Sequence, residues 1–233
     1  MFETLFTKTF SILGLQLFVT FLAAVTVLNF IRGLYEKKSP GISAATNQDG
    51  EIDLHIDWSF IKPYFWALII LNIILFIALL FWGQHDIFIG LPIFTLWSVV
   101  TGVEVALALI AVDENLGTRV LGITASITVI CAMVGIYSGI DFSFLGGFLF
   151  IALLLLVVAN IIRLFIKMCR WKERIIAFFG VIIFTGYLLF DFNRLEKLQE
   201  AGMNTWPAAM HLSIDIYLDI INLFLQLLDL LSD

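Results

Sequence analysis

Seven stretches of roughly 20 apolar residues, parted by charge clusters and turn residues, constrain this chain more than any other feature. Each is long enough to cross the hydrocarbon of a bilayer as an α-helix, the one open-ended element that satisfies all its own backbone N–H and C=O groups in lipid. The stretches run Phe10–Ile31, Pro63–Trp82, Leu91–Val112, Gly117–Tyr137, Phe144–Phe165, Ile175–Phe192 and Pro207–Leu231. Composition agrees with this reading. Of the 233 residues 61% are hydrophobic and 14% charged, with a mean hydropathy of +1.03, against ~45–50% apolar and ~25% charged in soluble domains. One water-soluble core of this size cannot enclose so much apolar surface. The expected fold is all-α: a polytopic membrane helix bundle of about seven transmembrane helices, one transmembrane domain over residues 1–233, with the lipid bilayer as its solvent.

All connections except the first are short. The first, residues 32–60, is polar and carries Gly, Ser, Pro and Asn, so a solvated or partly disordered loop is expected there. The first apolar stretch exceeds the ~7–15 residues of a signal-peptide core and reads as a retained helix. Pro63 and Pro207 each open an apolar run, where a missing N–H costs nothing, and are expected to mark helix starts.

Several classes of function are disfavoured. A net charge of −6 with no basic stripe speaks against a nucleic-acid partner. Cys131 and Cys169 have no CxxC spacing, and His55, His85 and His211 lie far apart without metal spacing, so no metal or other cofactor is expected. No nucleophile arrangement of Ser/His or Cys/His type is present, and Asp191 lacks the surroundings of an intramembrane aspartyl protease, so the chain reads as no enzyme. Asn72 and Asn160 read as interhelical hydrogen-bonding residues. Trp58, Trp66, Trp82, Trp171 and Trp206 stand near stretch ends, as interfacial aromatics do.

Ionisable groups inside the apolar stretches carry the functional information, since each costs ~2.5–3.5 kcal/mol at a helix centre without a partner or water. Four carboxylates qualify: Glu104, Asp191, Asp215 and Asp219. Glu104 is suited equally to a structural interhelical bond or to an ion pathway. The last two stretches form a hairpin turning near Asn204. Asp191 lies 13 residues before that position and Asp219 15 after it, so their depths differ by only ~3 Å if both arms are helical. Asp215 and Asp219, four apart, share a helix face. Three carboxylates are thus expected at one polar patch. Two carboxylates held close in a medium of low dielectric cannot both ionise cheaply, so Asp191 and Asp219 are expected to share a proton and respond to pH. Alternatively, Asp191 simply sits solvated at the membrane surface beside Asn193 and Arg194. Once ionised, these oxygens are hard donors of the kind Ca²⁺ prefers, which makes Asp191 and Asp219 candidates for transient Ca²⁺ contacts and Asp215 and Glu104 candidates for the ion path.

Four blocks in order carry a family resemblance: TFSILGLQLFVTFLAAVTV in the first stretch, DFSFLGGFLFIALLLLVVANIIRLF from Asp141 to Phe165, FTGYLLFDFNRL from Phe184 to Leu195, and IYLDIINLFLQLL from Ile216 to Leu228. Together they resemble the Bax inhibitor-1 (transmembrane Bax inhibitor motif) family of seven-helix membrane proteins. The resemblance implies a bundle with the C-terminal helix central, and a pH-sensitive leak for Ca²⁺ gated by an aspartate pair whose matching residues here are Asp191 and Asp219. It also implies an alternative: an interaction protein that modulates cell death or a membrane protease without passing ions. The chain departs from the pattern in three places, the first being the turn before the fifth stretch, YSGIDFSF, which has none of the basic residues that relatives carry there. No arginine stands between Pro63 and Trp82 to latch the aspartates, and Glu104 occupies a usually neutral position, where it either attracts cations or pairs with Arg163.

Lys8, Arg194 and Lys197 fall on the side of the N-terminus, and Arg32, Lys37, Lys38, Lys62, Arg119, Arg163, Lys167, Arg170, Lys172 and Arg174 on the other. The positive-inside rule therefore places the N-terminus outside, whereas the resemblance places it in the cytoplasm. A bacterial plasma membrane is the expected location, or an endomembrane in a eukaryote.

Overall fold

The computed structural model describes residues 3–232 apart from 37–41, 47–51, 57, 84–85, 111, 113 and 167. His85, Lys37, Lys38, Lys167 and parts of the polar connection 32–60 therefore lie outside the described residues. Seven long helices follow in order: α1 Leu5–Glu36, α2 Trp58–Ala78, α3 Ile87–Ile110, α4 Glu114–Tyr137, α5 Leu145–Phe165, α6 Arg170–Glu200 and α7 Trp206–Leu231. Six of them are long and apolar enough to cross a membrane by themselves. The exception is α7, whose apolar run is interrupted by Asp215, Asp219 and Asp229. The chain is a polytopic membrane protein whose spans are helices, as its hydropathy requires.

Two details differ from the sequence expectation. The first connection is not wholly irregular: β1 Ile42–Thr46 and β2 Ile52–Ile56 pair antiparallel, with Ile42 opposite Ile56 and Thr46 opposite Ile52. The alternation of apolar and polar residues in IDLHI suits a strand. The second concerns Pro63. Because α2 begins at Trp58, Pro63 lies just inside the helix instead of opening it. As the sixth helical residue it lacks the N–H that would bond the Ser59 carbonyl, so the helix forfeits one intrahelical bond near its start. Pro207 does stand at the start of its helix, where Thr205 caps α7 by accepting from the Ala208 N–H at 3.3 Å.

The described residues divide into two compact units, Gly14–Glu114 and the remainder, Met1–Leu13 with Asn115–Asp233. In the first unit α1 and α3 approach closely: a Cβ on Gly102 would lie 2.5 Å from the Thr20 carbonyl oxygen and 2.6 Å from Ala23 Cβ. Small residues at such crossings are how helices associate in lipid, where no hydrophobic force drives them together. A polar seam reinforces the contact. Gln16 donates to Thr95 Oγ1 at 3.2 Å and accepts from Ser98 Oγ at 3.0 Å, while Thr20 Oγ1 donates to the Ser98 carbonyl.

The second unit is built around the α6–α7 hairpin. Its turn follows from Gly202, whose φ of +74° falls where glycine is favoured. The Gly202 N–H bonds the Gln199 carbonyl and the Met203 N–H bonds the Leu198 carbonyl, the Schellman arrangement that closes a helix. Before that turn α6 continues unbroken through the polar segment Arg194–Glu200. The start of α1 docks here: Gln199 Oε1 accepts from the Leu5 N–H at 2.7 Å, capping α1 from another helix, and Lys8 donates to the Asn204 carbonyl at 2.9 Å while lying over the Trp206 ring. Asn193 on α6 ties down the α4–α5 connection, donating to the Gly135 and Ile140 carbonyls and accepting from the Phe142 N–H. Outward residues of α5 such as Phe148, Ile151 and Leu155 are exposed, as lipid-facing side chains are. By contrast α7 is covered nearly all round between Ala209 and Asp219, with Met210, Ile214, Ile216 and Tyr217 fully buried.

Candidate functional site

With both arms of the hairpin helical, Asp191 on α6 and Asp219 on α7 come to the same depth and their carboxyl groups lie against each other. They are 4% and 5% exposed, which removes the alternative of a solvated Asp191 at the membrane surface. Two carboxyl groups in such contact can hydrogen-bond to one another only when one of them holds a proton. The second oxygen of Asp219, Oδ2, is buried and finds no hydrogen-bond partner among the described residues.

Asp215, one turn earlier on α7, is held differently. Its Oδ2 receives Arg194 Nη1 at 3.2 Å and lies 2.8 Å from His211 Nδ1. Arg194 is three residues after Asp191 on α6, so one cation balances the acidic cluster from the same helix that supplies one of its members. Sequence reading gave neither Arg194 nor His211 a role at the site. Their signal was the i, i+4 spacing of His211 and Asp215 across a hairpin from Arg194.

Asp191, Asp215 and Asp219 all line one cavity of about 990 Å³ between α5, α6 and α7. Its far end is marked by Arg163, Phe165, Met168 and Glu173. Along α6 the interval from Asp191 to Glu173 amounts to about 27 Å at ~1.5 Å per residue, close to the ~30 Å of bilayer hydrocarbon. The wall is mixed. Leu153, Leu156, Val157 and Phe184 contribute apolar surface, and Asn160, Tyr187, Asn222 and Gln226 interrupt it with uncharged polar groups.

The arrangement on α7 explains why the polar groups meet. His211, Asp215, Asp219, Asn222, Gln226 and Asp229 recur every three or four residues and so form one stripe along an otherwise apolar helix. The middle four line the cavity. This stripe is readable in the sequence, but only when neutral amides are counted with the charges. Close packing fixes it: a Cβ on Gly180 of α6 would lie 2.5 Å from the Gln226 side chain.

At the cavity's far end Arg163 of α5 makes a two-pronged contact with Asp229 of α7, at 2.5 and 3.0 Å, and its Nε lies 3.4 Å from Glu173 of α6. Arg170 adds bonds to Asp229, Glu173 and Ser232. Arg163 is thus satisfied by Asp229 and Glu173, and the expected alternative of a pair with Glu104 is replaced. Glu104, in the other unit, accepts from Asn72 Nδ2 at 2.7 Å, and Asn72 in turn accepts from Trp97 Nε1 at 3.0 Å. Asn160 bonds the Leu156 carbonyl of its own helix while lining the cavity.

The donors around Asp191 and Asp219 are hard oxygens, suited to Ca²⁺ and not to softer metals. No group of three or more His, Cys, Asp or Glu placed to hold a metal ion occurs among the described residues.

Comparison with known proteins places the chain. A family model described as "Inhibitor of apoptosis-promoting Bax1" matches residues 3–233. The chain is 31% identical to Protein LIFEGUARD 1 of Arabidopsis thaliana over 97% of its own length and 87% of that protein. It is 28% identical to Bax inhibitor 1 of Schizosaccharomyces pombe, covering 87% of the chain and 76% of the relative. An uncharacterized membrane protein of Streptococcus pyogenes serotype M6 is 30% identical over 60% of the chain and 61% of its own length. With its seven helices and a family match over nearly its whole length, the chain belongs to the Bax inhibitor-1 family of membrane proteins.

Proposed function

We propose that this protein is a pH-sensitive cation leak, with Ca²⁺ as the permeant ion and Asp191 and Asp219 as a coupled sensing and gating pair. The observation that carries the reading is a buried carboxyl–carboxyl contact set in the wall of a cavity about as long as the bilayer is thick. The shared proton holds α6 to α7 at this point. When it is lost, two like charges face each other at contact, a repulsion of ~4 kcal/mol at ~4 Å with an effective dielectric of about 20. That exceeds what an interhelical hydrogen bond of ~1–2 kcal/mol in lipid holds together. Proton number therefore sets whether the contact persists, and with it the passage along the cavity.

Cations are drawn to the acidic cluster and meet oxygen donors in sequence along α7: Asp215, Asp219, Asn222 and Gln226. Transient contacts suit permeation, because an ion must be able to leave each station. The cavity and its charges are transport chemistry, and no catalytic step is assigned to them.

The test is Ca²⁺ uptake by liposomes containing the purified protein, followed as a function of pH. A pH-dependent flux lost or shifted in Asp191→Asn and Asp219→Asn supports the reading. Absence of flux from folded wild-type protein at every pH would overturn it and leave the alternative, a non-transporting interaction protein.

A further inference from the structure

Two guanidinium groups line the cavity, one at each end: Arg194 beside the aspartate cluster and Arg163 at the opposite end. The Arg194 side chain is 40% exposed and shares the Asp215 carboxylate with His211. Arg163 is more enclosed, at 27%, and each of its three nitrogens faces a carboxylate oxygen, two on Asp229 and one on Glu173. Those partners sit on α7 and α6, so a side chain of α5 bridges the other two helices that form the cavity. Arg170 and Ser232 hold Asp229 from the far side, so the guanidinium has a rigid seat.

Along α7, the next member of the polar stripe beyond Gln226 is Asp229, and its carboxylate is already occupied by Arg163. A cation that has passed Asp219, Asn222 and Gln226 therefore meets the Arg163 guanidinium, set in a charge-balanced cluster of Arg163 and Arg170 with Asp229 and Glu173, instead of a free carboxylate. Repulsion between the passing ion and that guanidinium opposes passage at this point. A packing role alone does not call for a cation in the cavity lining, where a neutral side chain of similar length would fill the space.

We infer that Arg163, seated on Asp229 and Glu173, is the electrostatic barrier that limits cation passage at the end of the cavity opposite the aspartate pair. The inference rests on the reading of the protein as a cation leak and adds to it a specificity-determining residue with a location of its own. It assigns the two ends different work: Asp191 and Asp219 set the response to pH, and Arg163 sets the rate at which a cation gets through.

The experiment uses the full chain in liposomes, with Ca²⁺ uptake recorded across the pH range. Arg163→Gln is expected to pass Ca²⁺ roughly ten-fold faster or more, the lower edge of what charge lining a cleft does to ion rates, at every pH and with the wild-type pH midpoint. Arg163→Lys is expected to stay within about three-fold of wild type, since charge and not fork geometry sets the barrier. To separate the barrier from folding, Arg163→Cys in a Cys169→Ser background is measured before and after 2-aminoethyl methanethiosulfonate, which returns a positive charge to the same folded sample. Uptake should be fast before treatment and fall back after it, and the negatively charged 2-sulfonatoethyl reagent should not slow it. Wild-type rates in Arg163→Gln and Arg163→Cys, or a fast leak indifferent to the sign of the added charge, would overturn the inference. If those rates are wild-type while the aspartate variants still shift the pH profile, the barrier fails and the leak stands. If Arg163→Gln is fast while the aspartate variants leave the pH profile unchanged, the barrier stands and the sensor fails. No flux from any variant overturns both.

Discussion

Replacing Asn72 by leucine removes the group that, among the described residues, bonds the Glu104 carboxyl, and the outcome separates a structural role for that carboxyl from a transport role. The amide makes two bonds between α2 and α3, donating to Glu104 at 2.7 Å and accepting from Trp97 at 3.0 Å. Interhelical bonds in lipid average ~0.6 kcal/mol and reach ~1.7, and leaving a buried acceptor unmade adds ~1–3 kcal/mol. The sum for Asn72→Leu is about 2–4 kcal/mol, measured as the loss of unfolding free energy in mixed micelles titrated with a denaturing detergent. Glu104→Gln should cost under ~0.5 kcal/mol, because its amide oxygen still accepts from Asn72. The double variant Asn72→Leu/Glu104→Leu should recover part of the loss, since removing both partners is cheaper than orphaning one. Asn72→Leu within ~0.5 kcal/mol of wild type would refute this reasoning. So would Glu104→Gln matching its cost. If Glu104→Gln folds normally yet slows Ca²⁺ uptake, the carboxylate serves ion passage as well as packing.

Gly135→Ala should destabilise by about 1–3 kcal/mol: the new Cβ would lie 2.8 Å from Phe192 Cβ and 3.0 Å from the Leu189 carbonyl oxygen, and neither backbone can yield cheaply. Micelle unfolding measures this, and a neutral result would mean that α4 is free to move from α6. At the α4–α5 turn, the Lys197 ammonium and the Ser143 N–H and hydroxyl hold the exposed Asp141 carboxyl down at about 2, against an ordinary 3.8. A folded value below the unfolded one gives stabilisation that is complete above about pH 4 and lost as pH falls toward 2. Pepsin cleavage at residues 138–143 should therefore increase over that interval, and Asp141→Asn should cleave at the faster rate throughout. Seven crossings place residues 5 and 231 on opposite faces of the membrane, so reporter fusions at the two ends should give opposite signals. Like signals would mean that α7, with its three aspartates, does not span.

Hydropathy made six helices legible, because a membrane span has little choice of element. The seventh was legible as an apolar stretch opened by Pro207, and the match in depth of Asp219 to Asp191 needed only the turn at Asn204 and the helical rise. What the sequence did not disclose was partner choice. Glu104 and Arg163 are both single charges in apolar stretches and could be paired on paper, but Asn72 takes one and Asp229 the other. Asp229 escaped notice because it lies near the chain end, where a carboxylate passes for a solvated one. The hairpin at Ile42–Ile56 was obscured by the turn residues around it, which read equally well as a loop.

The most direct measurement is the pH profile of Ca²⁺ uptake from about pH 5 to 8 for wild type, Asp191→Asn, Asp219→Asn and the double variant, each in liposomes. On the proposed reading Asp191 and Asp219 share one proton, so removing either carboxylate should remove the pH response or displace it, and the double variant should resemble the singles and not sum them. An unaltered profile in both single variants, or strictly additive effects in the double, would show two independent aspartates and contradict a coupled pair.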